Sequence, residues 1–324
     1  MKKIDNIKLA IGESEDKLLP KAAKTARISV KDVKHFKILK KSLDARDKNA
    51  LFYTYNVEIS ATEEVKEKRE YPKAKGKVAV IGAGPCGLFC ALYLARCGMQ
   101  PTVFERGLSV DERKKKTDLF ANGGALDTEC NIQFGEGGAG AFSDGKLNTQ
   151  VNNGLVKQVV EDFAAFGAPS EILYMSKPHI GSDKLPCVIK RMRQEIIALG
   201  GNFAFDGGKL TAIKYLQNGK ESEERFDETV LAIGHSSRDT FERLAHLNVK
   251  MEQKDFAVGF RVEHLQSEIG RAQYGEKYTL LPSADYRLAS HAGARDVFTF
   301  CMCPGGYVMP AASEVGGVVV NGMS

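Results

Sequence analysis

Apolar positions change their period abruptly near residue 82. Val78, Ala79, Val80 and Ile81 form an unbroken, β-branched-rich run, the pattern of a parallel strand buried on both faces. After Pro85, the residues Leu88, Ala91, Leu92 and Ala95 recur at i, i+3, i+4 and i+7, which puts them on one face of a helix. The eighteen uncharged residues from 78 to 95 are nominally long enough to cross a membrane. Three glycines and a proline inside the run, together with the change of period, predict strand, turn and helix instead.

The flanks read by the same rules. Residues 4–11 alternate as a strand, 15–28 have helix-forming composition despite Pro20, 33–43 read as a strand, and 51–60 are strongly β by content. The charged run 62–77 is a linker or short helix. Residues 101–105 form a second strand, 110–124 a charged helix, and amphipathic helices follow at about 154–166 and 185–199. A third parallel strand is expected at 201–205. Two strands around the turn pair Asn218-Gly219 come next, then a further buried strand ending at Gly234.

Within Gly82-Ala83-Gly84-Pro85-Cys86-Gly87 the glycines are spaced G-x-G-x-x-G. Gly82 permits the tight turn, Gly84 lets a pyrophosphate approach the backbone, and Gly87 lets helix and strand pack closely. The helix N-terminus then directs its unpaired N–H groups at the phosphates. Glu105 ends the second strand 23 residues after Gly82, where a carboxylate accepts hydrogen bonds from ribose hydroxyls. The expectation is a dinucleotide site.

Charge narrows the partners. The net formal charge is +5, and the first 70 residues hold 17 Lys and Arg against 12 Asp and Glu. Lysines between 31 and 41 are interleaved with acidic and apolar residues in the manner of a solvated element, so no nucleic-acid partner and no membrane partner is expected. Seven cysteines are scattered without a secretory segment, which favours reduced thiols and a cytoplasmic location. No zinc-like spacing accompanies Cys301 and Cys303, so no metal site is expected. Cys86 and Cys90 read as small packing residues.

The stretch 78–107, with Arg106 directly after Glu105, resembles the first motif of two-domain FAD oxidoreductases. The segments 131–149, 177–185, 231–241 and 300–324 are similar to those of the bacterial FAD-dependent dehydrogenase family, NAD(P)/FAD-dependent oxidoreductases, and the similarity covers nearly the whole chain. It implies an α/β fold: a small N-terminal α+β domain (1–72), an FAD-binding Rossmann-like domain (73–250) and a partial substrate domain (251–324). The cofactor implied is FAD, with NAD(P)H as a transient electron donor or a protein donor in its place, and the substrate a small organic molecule. Gly234 ends the segment that usually reads A-T-G in such folds, with Ile233 in the middle position here. The flavin disulfide reductases place C-x-x-x-x-C soon after the second strand; only Cys130 lies in that region. Nothing from 251 to 324 resembles the returning segment that completes an FAD site, which leads to the expectation of a chain truncated at its C-terminus.

Under this resemblance the loop 135–140, with Gly138 and Gly140, offers backbone N–H groups to an anion or the edge of a flavin. Lys146 is positioned to stabilise negative charge at the flavin N1/C2 carbonyl, and Ser143 or Asp144 to bond the ribityl chain or phosphates. His179 is a candidate substrate-side acid or base, and Ser182 or Asp183 a cap for the helix that follows. The cofactor set is thus Gly82, Ala83, Gly84, Pro85, Gly87, Glu105, Arg106, Gly138, Gly140, Ser143 and Gly234, and the catalytic set His179 and Lys146. The expected activity is an FAD-dependent dehydrogenase or reductase. An NAD-linked Rossmann dehydrogenase and an inactive FAD-binding remnant are the alternatives.

Overall fold

The computed structural model describes residues 1–64, 69–142, 145–147, 149, 151, 153–205, 214–217, 219–291, 293, 295–299 and 302–323. The chain begins with β1 (Lys2–Ala10), α1 (Leu18–Ala26), β2 (His35–Asp44) and β3 (Phe52–Ser60). The three strands form an antiparallel sheet in the order β1-β3-β2. Leu18, Ala22, Ala23 and Ala26 of α1 pack on Ile7, Leu9, Tyr55, Val57 and Ile59 to make a small separate core. Pro20 sits in the first turn of α1, where its missing N–H breaks no helical bond. Residues 61–64 and 69–76 carry no regular element.

Strand β4 (Lys77–Ile81) opens the second sheet and is followed by α2 (Pro85–Arg96), β5 (Gln100–Phe104) and α3 (Val110–Ala121). Then come α4 (Gly154–Ala165), α5 (Leu185–Ala198), β6 (Asn202–Ala204), the hairpin β7 (Lys214–Gln217) and β8 (Lys220–Glu223), β9 (Glu228–Leu231) and α6 (Arg238–His246). The sheet order is β6-β5-β4-β9, all parallel. Connections run outward from β4 through β5 to β6, and the chain returns to the other side of β4 with β9. The strand order therefore reverses beside the carboxyl end of β4, where open α/β sheets bind ligands. One face packs α2 and α5 through Leu88, Ala91, Leu92, Val188, Ile189, Met192 and Ile196. The opposite face holds Ala79, Phe104 and Ala204, with Phe226 edge-on to Phe104.

The expectation of a buried last strand is corrected. β9 pairs with β4 but ends at Leu231, which is 50% exposed. It is an edge strand, and α6 after it buries no residue. The expected cap of α5 is also not observed: Lys184 occupies the capping position without a side-chain bond.

Residues 251–265 carry no regular element and are largely exposed, and lead into α7 (Gln266–Tyr274). Two short antiparallel pairs follow, β10 (Ala289–Ser290) with β11 (Val297–Phe298) and β12 (Tyr307–Pro310) with β13 (Val320–Met323). Met309 and Ala311 join the main core. No helix among the described residues is long and apolar enough to cross a membrane.

The N-terminal sheet is joined to the rest through the free edge of β2. The Lys41 N–H donates to the Tyr174 carbonyl (2.8 Å) and the Ser176 N–H donates to the Lys41 carbonyl (3.0 Å), an isolated parallel bridge of Lys41 with Met175. Ser42 and Ser176 hydroxyls meet at 2.7 Å.

Candidate functional site

Tight contacts fix the turn at the end of β4. Gly82 has φ +104°, and a Cβ there would lie 2.5 Å from the Ala232 carbonyl oxygen. A Cβ on Gly87 would fall onto the Gly82 carbonyl oxygen, so α2 leans directly on the backbone of its own turn. Gly84 differs: as the N-cap of α2 it has φ −68°, and its Cβ would meet nothing within 4 Å. Two of the three glycines are thus demanded by packing, and the third faces space beside a helix N-terminus. Pro85 occupies the first helical position, where it costs no bond.

Glu105 is 7% exposed and ties this turn to the end of β5. Its Oε2 accepts from the Ala83 N–H (2.8 Å) and its Oε1 from the Gly107 N–H (2.9 Å). Each oxygen retains a lone pair, but the carboxylate already holds the glycine turn in place. Arg106 next to it is held by Glu129 at 2.8 Å, by Asp239 and by the face of Phe134. Partial burial raises the Asp239 carboxyl, but the bonds from Arg106 and the Thr240 N–H outweigh that and bring it below the usual range. This pairing carries the start of α6 to the end of β5.

The glycine-rich loop lies against the turn. The Gly137 N–H donates to the Ala83 carbonyl (2.8 Å). A Cβ on Gly138 would be 3.3 Å from the Gly84 Cα, and one on Gly140 would be 3.7 Å from Pro85. Gly84, Pro85, Gly138 and Gly140 are therefore together. Gly234, with φ +71°, follows the Ala232-Ile233 segment that abuts Gly82. Ser143 and Asp144 lie outside the described residues.

From Gly138 the chain passes through a short 3-10 helix, Gly138–Phe142, to Lys146. There it forms an isolated antiparallel bridge with His179, supported by bonds from the Leu147 N–H to the Pro178 carbonyl and from the Ile180 N–H to the Gly145 carbonyl (both 3.0 Å). The two residues proposed for catalysis are thus backbone neighbours. His179 lines a cavity of about 580 Å3 with Glu171, Lys177, Asp183, Lys184 and Ser283. Lys177 is neutralised by Asp285 at 2.7 Å. A smaller cavity of about 230 Å3, lined by Gln133, His235, Ser236, Arg238 and Glu314, sits beyond the end of β9.

Two buried charges had no part in the sequence expectations. Arg113, on the inward face of α3 with Val110 and Thr117, is fully buried and donates to five loop carbonyls. Burial lowers its guanidinium to about 10, against the opposing pull of Glu105, Cys130 and Glu136. Glu136 accepts from the Val110 N–H at 2.7 Å and lies 2.9 Å from Arg193 Nε; burial pushes its carboxyl up. The one sequence signal was spacing: Val110, Arg113 and Thr117 fall at i, i+3 and i+7 within a run otherwise read as solvated.

Residues 76–260 match the family described as pyridine nucleotide-disulphide oxidoreductase, which covers more than half of the chain. Residues 255–324 match the C-terminal domain-like family of FAD-dependent proteins, and residues 1–60 a domain of unknown function, DUF8436. The chain belongs to the FAD-dependent oxidoreductase family. An uncharacterised protein of Clostridium beijerinckii is 42% identical over 99% of this chain, which spans 66% of that relative's length. A thiamine thiazole synthase of Saccharolobus islandicus is 42% identical over 62 residues, 16% of this chain and 23% of the relative. Among solved structures, Thermovibrio ammonificans THI4 is 14% identical, with 54% of this chain and 64% of that chain covered and a TM-score of 0.31. The 3-ketosteroid-delta4-(5alpha)-dehydrogenase of Rhodococcus jostii RHA1, solved with 4-androstene-3,17-dione, is 15% identical, with 51% and 47% covered and a TM-score of 0.29. Of the chain's cysteines, Cys86, Cys90, Cys97, Cys130 and Cys187 are free thiols; Cys301 lies outside the described residues.

Proposed function

We propose that this chain oxidises or reduces a small organic substrate by hydride transfer at FAD, with the dinucleotide laid across the carboxyl end of β4. The observation that carries this reading is the difference among the three glycines. Gly82 and Gly87 have no room for a Cβ, whereas Gly84 faces open space at a helix N-terminus, as a backbone cradle for phosphate requires. Gly82, Ala83, Gly84, Pro85 and Gly87 form the floor of the cradle, and Gly138 and Gly140 its wall. Glu105 uses its remaining lone pairs for the ribose, Arg106 flanks it, and Gly234 admits the cofactor past β9. Ser143 belongs to the same proposed set.

FAD, when bound, accepts or donates a hydride. The chain's own residues orient it and handle the proton. His179, on the wall of the 580 Å3 cavity, exchanges the proton that accompanies the hydride, and Lys146, bridged to it, supplies positive charge near the flavin carbonyl. The course of the chain from Gly138 at the cradle to Lys146, bridged to the cavity-lining His179, supports one extended cofactor serving both. Electrons arrive from NAD(P)H in transient contact or from a protein donor, in the cytoplasm. The division into units at 1–72, 73–250 and 251–324 belongs to the same reading.

The test is a visible absorption spectrum of the purified protein before and after FAD addition and gel filtration. Retained flavin that bleaches with dithionite is the expected result. Folded protein that passes through colourless and binds NAD instead would overturn the assignment.

A further inference from the structure

Arg113 presents an arrangement that packing alone does not require. Its Nε donates to the Asn131 carbonyl (2.8 Å) and its Nη2 to that of Ile132 (2.8 Å). Its Nη1 donates to those of Glu136 (2.7 Å), Gly138 (2.9 Å) and Gly135 (3.2 Å). One planar fork thus engages five carbonyls within eight consecutive residues, three of them sharing the two hydrogens of Nη1. The Phe142 ring closes the site, 4.7 Å from the guanidinium carbon. Among the described residues no carboxylate is ion-paired with it; its charge is met by carbonyl dipoles.

A trans peptide points its C=O and the following N–H in opposite directions. With the carbonyls of Gly135, Glu136 and Gly138 turned onto Arg113, the N–H groups of Glu136, Gly137 and Ala139 face away from it. The first two anchor the loop, to the Leu108 carbonyl (3.1 Å) and the Ala83 carbonyl (2.8 Å). The third belongs to the residue after Gly138, which abuts Gly84. Gly135 adopts φ +110°, and a Cβ there would meet Arg113 Cδ at 2.6 Å, so the loop is fitted closely around this side chain.

We propose that Arg113 is the positioning residue of the phosphate cradle: from behind the 131–138 loop it turns the carbonyls inward and the N–H groups outward, and places a positive charge beneath the anion site. This rests on the FAD reading given above. Arg113 does not touch the cofactor; it acts through the loop.

The test compares wild type with Arg113→Met and Arg113→Lys. Melting temperature and far-ultraviolet circular dichroism report the fold, FAD titration reports the cofactor, and calorimetric titrations with ADP and with adenosine separate phosphate from base. Removing a charge-assisted donor set is expected to weaken ADP by about tenfold or more in Arg113→Met while adenosine is unchanged. Lysine keeps the charge but lacks the fork, so Arg113→Lys is expected to lose about threefold or more for ADP alone. Equal losses for ADP and adenosine, or none in a variant that folds, would overturn the proposal. If Arg113→Met does not fold, Arg113→Lys decides by the same comparison. Wild type that binds ADP but not FAD refutes the cofactor reading and leaves the Arg113 comparison standing.

Discussion

Glu105 holds the Ala83 amide at 2.8 Å and thereby joins the end of β5 to the turn that follows β4. A second bond, from Gly107 at 2.9 Å, uses its other oxygen. Replacement by Gln substitutes a neutral acceptor for a charged one and obliges a buried NH2 to face an N–H donor. Glu105→Gln is therefore expected to lower stability by about 1–3 kcal/mol and to weaken FAD retention, both read from urea titrations with and without FAD. An unchanged midpoint would mean that the carboxylate does not hold the turn.

The glycines separate fold from binding. Gly87→Ala places a Cβ onto the Gly82 carbonyl and is expected to cost about 3 kcal/mol or more through backbone overlap. Gly84→Ala has a compatible backbone and free space, so its stability should stay within about 1 kcal/mol of wild type, yet FAD should no longer survive gel filtration. Retention by Gly84→Ala would displace the proposed pyrophosphate position.

Glu136 gives a pH signature. Burial raises its native carboxyl above the ordinary 4.5, so the folded protein binds this proton more readily than the unfolded chain. Its contribution to stability is fully present below 4.5 and is lost as pH rises from there through the raised native value. Glu136→Gln lacks that proton. The difference in unfolding free energy between the two proteins should accordingly drift against wild type across this window and be level on either side. A difference independent of pH would refute the assignment.

Lys41 turns its peptide groups away from β3 and toward 174–176. Proline is tolerated on such an outward edge of a strand, so Lys41→Pro should keep the N-terminal sheet while losing about 1–3 kcal/mol at the junction. Amide exchange should rise in residues 174–180. Lys41→Ala, which retains the backbone bonds, is the control and should leave that exchange unchanged.

How much of this was legible follows from which signals are local. The strand, turn and helix from 78 to 96 were readable because β-branched residues, glycine spacing and a change of period agree there. β6 was readable because a short aromatic and apolar segment follows an amphipathic helix and two glycines. β9 was misread as buried because Val230 and Leu231 are apolar, and no local pattern reveals that the strand lies at an edge. Arg113 was hidden among five neighbouring charges; its role depends on a loop some twenty residues later that wraps around it. The Lys146 and His179 neighbourhood is likewise a long-range pairing.

The rung between Lys41 and Met175 has a further consequence. Strand groups alternate outward and inward, so a shift of one residue along β2 would present no donor and acceptor to Tyr174 and Ser176. Since Met175 and Lys177 both line the larger cavity, that wall takes its register from β2, and a cavity in the second half of the molecule is positioned by a strand of the first sixty residues.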